Sequence, residues 1–239
     1  MKNLKLIKTT GIVIKEIDFK DNDKIITILT KDLGKISAMV KGAKKTNSPY
    51  LASSQYLVYS EFVLYQGKTF YHVNSTTVLD TFYDLRIDYD KLNYAFSMTK
   101  LLFTVCQENE KCEDVLKLFL NVLYYLKTDK KDRDLLLNIF NLRLLNYIGY
   151  KPYLNFCSIC NNKIDTVYYY SIKNKGMVCE NCINKEAKEN ILELKKGAYM
   201  ALLYITNVEL KKVFSFDVSE GVNKEITNFT KVYLSQIIN

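Results

Sequence analysis

The chain has 239 residues, 48% hydrophobic and 25% charged, a composition able to fold into two or three small units with a sizeable core. A formal net charge of +8 and a pI near 9.0 favour acidic partners: nucleic acid, anionic lipid or an acidic peptide. No run approaches the roughly 18 apolar residues of a membrane span, the basic start Met1-Lys-Asn-Leu-Lys-Leu-Ile-Lys8 lacks the apolar stretch of a signal peptide, and six cysteines without such a signal point to a reducing, cytoplasmic setting.

Residues 1–80 read as short strands. β-branched and aromatic runs at 10–15, 24–30, 35–40, 56–64 and 68–73 are bounded by Asp, Asn and Gly. Five strands in about eighty residues suit a small Greek-key barrel such as an OB-fold. Its charge is uneven: between Lys24 and Lys45 six lysines stand against one acid, Asp32, a balance of +5. Lys41, Lys44 and Lys45 surround Gly42 at a strand end, where a glycine lets a phosphate approach the backbone. Lysines beside Tyr56, Tyr65 and Tyr71 are the ingredients of a single-strand groove, with charges along the phosphates and rings available to bases. A solvated loop over a tyrosine-packed barrel is the plainer alternative.

The texture turns helical near residue 81. Tyr94, Met98, Leu101, Leu102 and Val105 repeat at helical spacing, as do Val115, Leu118, Phe119, Val122 and Leu126. Residues 134–148 are apolar almost all round, which predicts a helix at the centre of a bundle. Gly149 is a natural stop and Pro152 blocks continuation. Arg143 lies inside this helix and needs a partner, either an internal carboxylate or an acidic peptide from another protein.

Cys157-Ser-Ile-Cys160 and Cys179-Glu-Asn-Cys182, eighteen residues apart, form a four-cysteine metal pattern. Four thiolates leave no open coordination position, so the expected ion is one structural Zn²⁺. Two disulfides or a redox dithiol are the alternatives. The intervening residues 166–172 and the turn 173–176 read as a hairpin that returns the second pair to the first. This element, 156–186, is too small for its own core and would be stapled by metal. Helices at about 193–206 and 219–238 follow, completing the helical domain begun at 81–155.

No catalytic set emerges. His72 is the only histidine, in an alternating strand without a serine or cysteine motif beside it. Neither G-x-x-x-x-G-K-[ST] nor G-x-G-x-x-G occurs. Asp21, Asp23 and Asp32 read as turn residues, and Cys106 and Cys112 as buried thiols.

The order of these features resembles the RecO family of bacterial recombination mediators. Asp23-Lys-Ile-Ile-Thr-Ile-Leu-Thr30, Gly34-Lys-Ile-Ser-Ala-Met-Val-Lys-Gly-Ala-Lys-Lys45 and Tyr59-Ser-Glu-Phe-Val-Leu-Tyr65 are similar to the family's barrel. Phe140-Asn-Leu-Arg-Leu-Leu-Asn-Tyr-Ile-Gly-Tyr-Lys-Pro152 resembles its central helix, and Cys157-x-x-Cys160 with Lys175-Gly-Met-Val-Cys-x-x-Cys182 its zinc element. The family's basic tail beyond the last helix has no match after Tyr233-Leu-Ser-Gln-Ile-Ile-Asn239. The resemblance implies an α+β multidomain protein: an N-terminal OB-fold, then a helical domain with an inserted four-cysteine zinc element. It implies a non-enzymatic DNA-repair protein at the nucleoid that binds single- and double-stranded DNA and anneals complementary strands. The implied partners are RecR, the acidic C-terminal tail of single-stranded-DNA-binding protein and, indirectly, RecA. Lys24, Lys35, Lys41, Lys44 and Lys45 are the DNA-contact candidates. A zinc-ribbon module that binds protein or RNA without annealing is the rival reading.

Overall fold

The computed structural model describes residues 5–238; residues 1–4 of the basic start and Asn239 lie outside it. Two compact units divide the chain, Met1–Thr128 and Asp129–Asn239.

In the first unit, β1 (Leu6–Phe19), β2 (Asp23–Thr30), β3 (Lys35–Val40), β4 (Tyr59–Gln66) and β5 (Tyr71–Asp80) close in the order β1-β2-β3-β5-β4, with β4 returning to β1. This is the OB-like barrel expected. Strict alternation in β3 and β4 sends Ile36, Ala38, Val40, Phe62 and Leu64 into one core with Val13, Ile26 and Ile28. β1 is far longer than its apolar run. Its first half pairs with β4 and its second with β2, across a register shift between Val13 and Lys15 that bends the strand. At Gly11 the strands run too close for a side chain: a Cβ there would lie 2.8 Å from the Leu29 carbonyl oxygen. The barrel closes through a short parallel pair, Ala38 with Tyr71 and Met39 with His72.

Several strand boundaries differ from expectation, and β5 begins at Tyr71 where 68 was expected. Residues 56–58 are a turn, because Leu57 takes a left-handed φ of 63°. β5 runs on to Asp80 through the mostly exposed stretch Asn74–Leu79, whose polarity hid it.

Three helices complete this unit: α1 (Tyr83–Ile87), α2 (Tyr89–Val105) and α3 (Glu113–Thr128). Asp88 caps α2, accepting from the Lys91 N–H at 3.0 Å. The α2–α3 loop is stitched to the β2–β3 turn by main-chain bonds. Lys35 N–H donates to the Gln107 carbonyl (3.1 Å), Asn109 N–H to Leu33 (2.9 Å) and Cys112 N–H to Lys31 (3.3 Å). Cys106 and Cys112, at the loop's two ends, are buried free thiols as expected.

In the second unit, α4 (Arg133–Tyr147) starts at the Asp132 cap and stops before Gly149, whose φ is 88°. It is buried on nearly every side and packs with α5 (Lys196–Asn207) and α6 (Glu220–Ile237). The expectations for Arg143 are corrected. Its guanidinium bonds no carboxylate among the described residues; Nη1 donates to the Ile205 carbonyl at 3.3 Å, and it is 7% exposed, closed to an outside peptide. Asn146 donates to the Thr206 carbonyl at 2.9 Å. Both residues therefore cap the last turn of α5, where helix carbonyls lack partners and carry partial negative charge.

Between α4 and α5 stand β6 (Tyr168–Ser171), β7 (Gly176–Val178) and β8 (Ile191–Leu194), in sheet order β7-β6-β8. The hairpin was expected. The third strand ends on residues 193–194, where the expected helix over about 193–206 would start, and α5 begins only at Lys196.

Candidate metal centre and basic surface

Each Cys-x-x-Cys is a turn that aims two sulfurs at one point. In the first, Asn161 N–H donates to the Cys157 carbonyl (2.9 Å), Ile159 N–H to Cys157 Sγ (3.4 Å), and Asn161 adopts a φ of 61° to turn the chain away. In the second, Cys182 N–H and Ile183 N–H both donate to the Cys179 carbonyl, at 3.0 and 3.1 Å. The β6–β7 hairpin delivers Cys179 directly after Val178, and Ser158 N–H donates to the Met177 carbonyl at 2.7 Å, tying the first turn to β7. Gly176 is required by this closeness, since a Cβ there would sit 2.9 Å from Ser158 Cβ.

The four sulfurs of Cys157, Cys160, Cys179 and Cys182 lie within 4.8 Å of one another, and Cys160 Sγ is 3.6 Å from Cys179 Sγ. All are free thiols. A tetrahedral ion with bonds of about 2.3 Å needs sulfurs about 3.8 Å apart, whereas a disulfide needs about 2.05 Å. The donor set and spacing fit a four-coordinate metal ion. Cys157 and Cys182 are buried and Cys160 is exposed. Burial acts to raise the Cys157 thiol, but backbone N–H groups of Cys179, Cys160 and Ile159 outweigh it and draw it down to about 6. Burial, reinforced by the Cys160 and Cys179 thiols, pushes Cys182 up to about 12.

The element does not rest on sulfur alone. Tyr170 of β6 is fully buried, edge-on to Phe229 (centroids 5.0 Å, 75°), and its hydroxyl donates to Gln236 Oε1 at 2.8 Å. Tyr168 stacks on Tyr199 of α5 at 4.2 Å. Tyrosine spacing in a strand carries no sign of its partner helix, so the sequence reading missed this anchorage.

On the barrel, register decides which lysines are free. Lys24 pairs with Glu16, and Lys44 with Asp18 at 2.8 Å. That hydrogen bond holds the Asp18 carboxyl below the usual carboxylate range. Lys35 donates to the Phe103 carbonyl and lies 4.3 Å from the centre of the Phe103 ring. Lys41 and Lys45, exposed beside Gly42 (φ 66°), have no carboxylate partner among the described residues. The barrel tyrosines are occupied: Tyr71 is in the core, Tyr65 stacks on His72 at 4.9 Å, and the Tyr56 hydroxyl bonds the Thr99 hydroxyl at 2.8 Å.

A basic OB-like barrel joined to helices and a four-thiolate element defines a modular class of OB-fold proteins with a metal-knuckle accessory. Within that class, the sequence matches one family over both halves. A model described as recombination protein O N terminal matches residues 1–82, and one described as recombination protein O C terminal matches 86–238. The DNA repair protein RecO of Acetivibrio thermocellus is 40% identical over 231 residues, covering 96% of this chain and 91% of that one. Those of Clostridium acetobutylicum and Clostridium perfringens are 32% and 33% identical, covering 97% of this chain and 92% and 93% of theirs. The chain belongs to the RecO family of DNA repair proteins. No helix among the described residues is long and apolar enough to cross a membrane.

Proposed function

We propose that this chain is a recombination mediator without enzymatic activity. It binds single- and double-stranded DNA, anneals complementary strands, and with RecR helps load RecA onto DNA coated by single-stranded-DNA-binding protein, whose acidic tail it recognises. It works in the cytoplasm on the nucleoid. The observation that carries this reading is the family match over both halves of the chain.

Annealing needs no bond chemistry. Two strands repel, and a cationic surface that holds both backbones lowers that repulsion. Residues 1–80 supply that surface through Lys24, Lys35, Lys41, Lys44 and Lys45. Lys41 and Lys45 reach phosphates directly, while Lys24 and Lys44 must exchange Glu16 and Asp18 for them. The four-cysteine centre takes one Zn²⁺ in a structural role, since all its positions are filled by protein sulfur.

The test is annealing of two complementary labelled strands, bare and pre-coated with the cognate single-stranded-DNA-binding protein. Acceleration of both is the expected result. No acceleration of either would refute the mediator reading and favour a zinc-ribbon module that binds protein or RNA.

A further inference from the structure

The exposed aromatic rings of the first unit stand on its helices and not on the barrel: Tyr83 on α1, Tyr89, Phe96 and Phe103 on α2, and Tyr124 on α3. Phe96 is 60% exposed and Phe103 42%. With Lys100 between them at i+4, they fall on one helix face, and seven residues of rise put them about 10 Å apart. Neither ring is used in the core, and the charged side chains placed over the Phe103 ring are both cations. The ammonium groups of Lys15 and Lys35 lie 5.2 and 4.3 Å from the Phe103 ring centre, and Lys100 is exposed on the same face. Residues 91–107 contain no Asp or Glu; the flanking acids are Asp90 at the start of α2 and Glu108 in the following loop.

We propose that this face of α2, continued by Lys15 and Lys35 of the barrel, is a stacking platform for a single nucleic-acid strand. Phe96 and Phe103 receive unpaired bases, and Lys15, Lys35 and Lys100 take the phosphates that flank them. Rings that accept any base, flanked by cations that track the backbone, are what sequence-tolerant binding of a single strand requires. A duplex hides its base faces and gains only from the lysines. The platform therefore gives the surface a preference for unpaired over paired DNA. It rests on the DNA-binding reading above and adds α2 to it.

The chain has no tryptophan, so Phe96→Trp installs a single reporter on the proposed platform. Titrating the full, metal-loaded protein with oligo-dT should quench that fluorescence in step with binding measured by anisotropy of the labelled strand. An abasic oligonucleotide of equal length should bind more weakly and leave the signal unquenched. Phe96→Ala and Phe103→Ala should each weaken oligo-dT binding about 5- to 150-fold, with the salt slope unchanged. Lys100→Gln should instead flatten the slope by about 0.7. Both rings are surface residues, and circular dichroism of each variant checks that it is folded. If the parent chain binds oligo-dT but the alanine variants bind equally well and the tryptophan is silent, the platform is refuted while the DNA reading stands. A tryptophan that answers an acidic peptide and not DNA also refutes it, and makes the face a protein contact. If the parent chain binds no DNA, the broader reading fails first.

Discussion

Tyr170 tests whether the metal element is held by its thiolates alone. The ring is fully buried against Phe229, with Tyr233 6.2 Å away, and its hydroxyl donates to Gln236. Tyr170→Phe removes only the hydrogen bond, which contributes about 1 kcal/mol. Tyr170→Ala also empties the ring's place in the core, and truncating a buried aromatic costs about 3–5 kcal/mol. The two variants should therefore differ by roughly 2–4 kcal/mol while the metal stays bound. The assay is urea unfolding of metal-loaded protein followed by circular dichroism. Two compact units need not unfold together, so hydrogen exchange at β6 and α6 assigns the transition. If Tyr170→Ala matches Tyr170→Phe within about 0.5 kcal/mol, the shared core carries no weight and the element is stapled by sulfur alone.

Three further predictions follow from the site geometry. Metal affinity should fall as pH falls: Cys182, near 12, and Cys179, raised chiefly by burial, are protonated at neutral pH and must lose those protons to bind. At least two protons released mean about a hundredfold or more weaker metal binding per pH unit near neutrality, steepening further below about 6 as Cys157 protonates; competition with a colorimetric chelator reads this, and a pH-independent affinity would contradict it. Replacing Lys41 and Lys45 by alanine should reduce the steepness of log K against log salt by about 1.4 of the roughly 3.5 expected for all five lysines, and weaken all sequences alike. Gly176→Ala should destabilise the second unit by about 1–3 kcal/mol and hasten metal loss to a chelator, and adding Ser158→Gly, which removes the clashing Cβ, should restore much of both.

The readable parts of this chain were those in which one segment determines its own state. β3 alternates strictly and was bounded correctly at Lys35 and Val40. The two Cys-x-x-Cys turns announce their common target, and Gly149 ends α4 because it alone accepts the φ required. What stayed hidden depended on partners distant in sequence. The +5 balance between Lys24 and Lys45 counts charge along the chain, but β1–β2 register sets Asp18 opposite Lys24 and brings Glu16 and Asp18 to Lys24 and Lys44. Arg143 was expected to seek a side-chain anion, yet a helix end supplied its partner. Phe96 and Phe103 were read as neither core nor site, because only the fold reveals that α2 turns them outward.

The stitching of the α2–α3 loop to the β2–β3 turn bears on how this protein can be divided. The family descriptions meet between residues 82 and 86, but the compact unit runs on to Thr128. A fragment cut at 82 would strip the Lys31, Leu33 and Lys35 main-chain groups of their partners at 112, 109 and 107, and Tyr56 of Thr99. Its β2–β3 turn would lose the partners of one amide and two carbonyls, loosening the turn that joins β2 to β3. A fragment cut after Thr128 keeps every one of those bonds, and it is the piece to express when the barrel is to be studied alone.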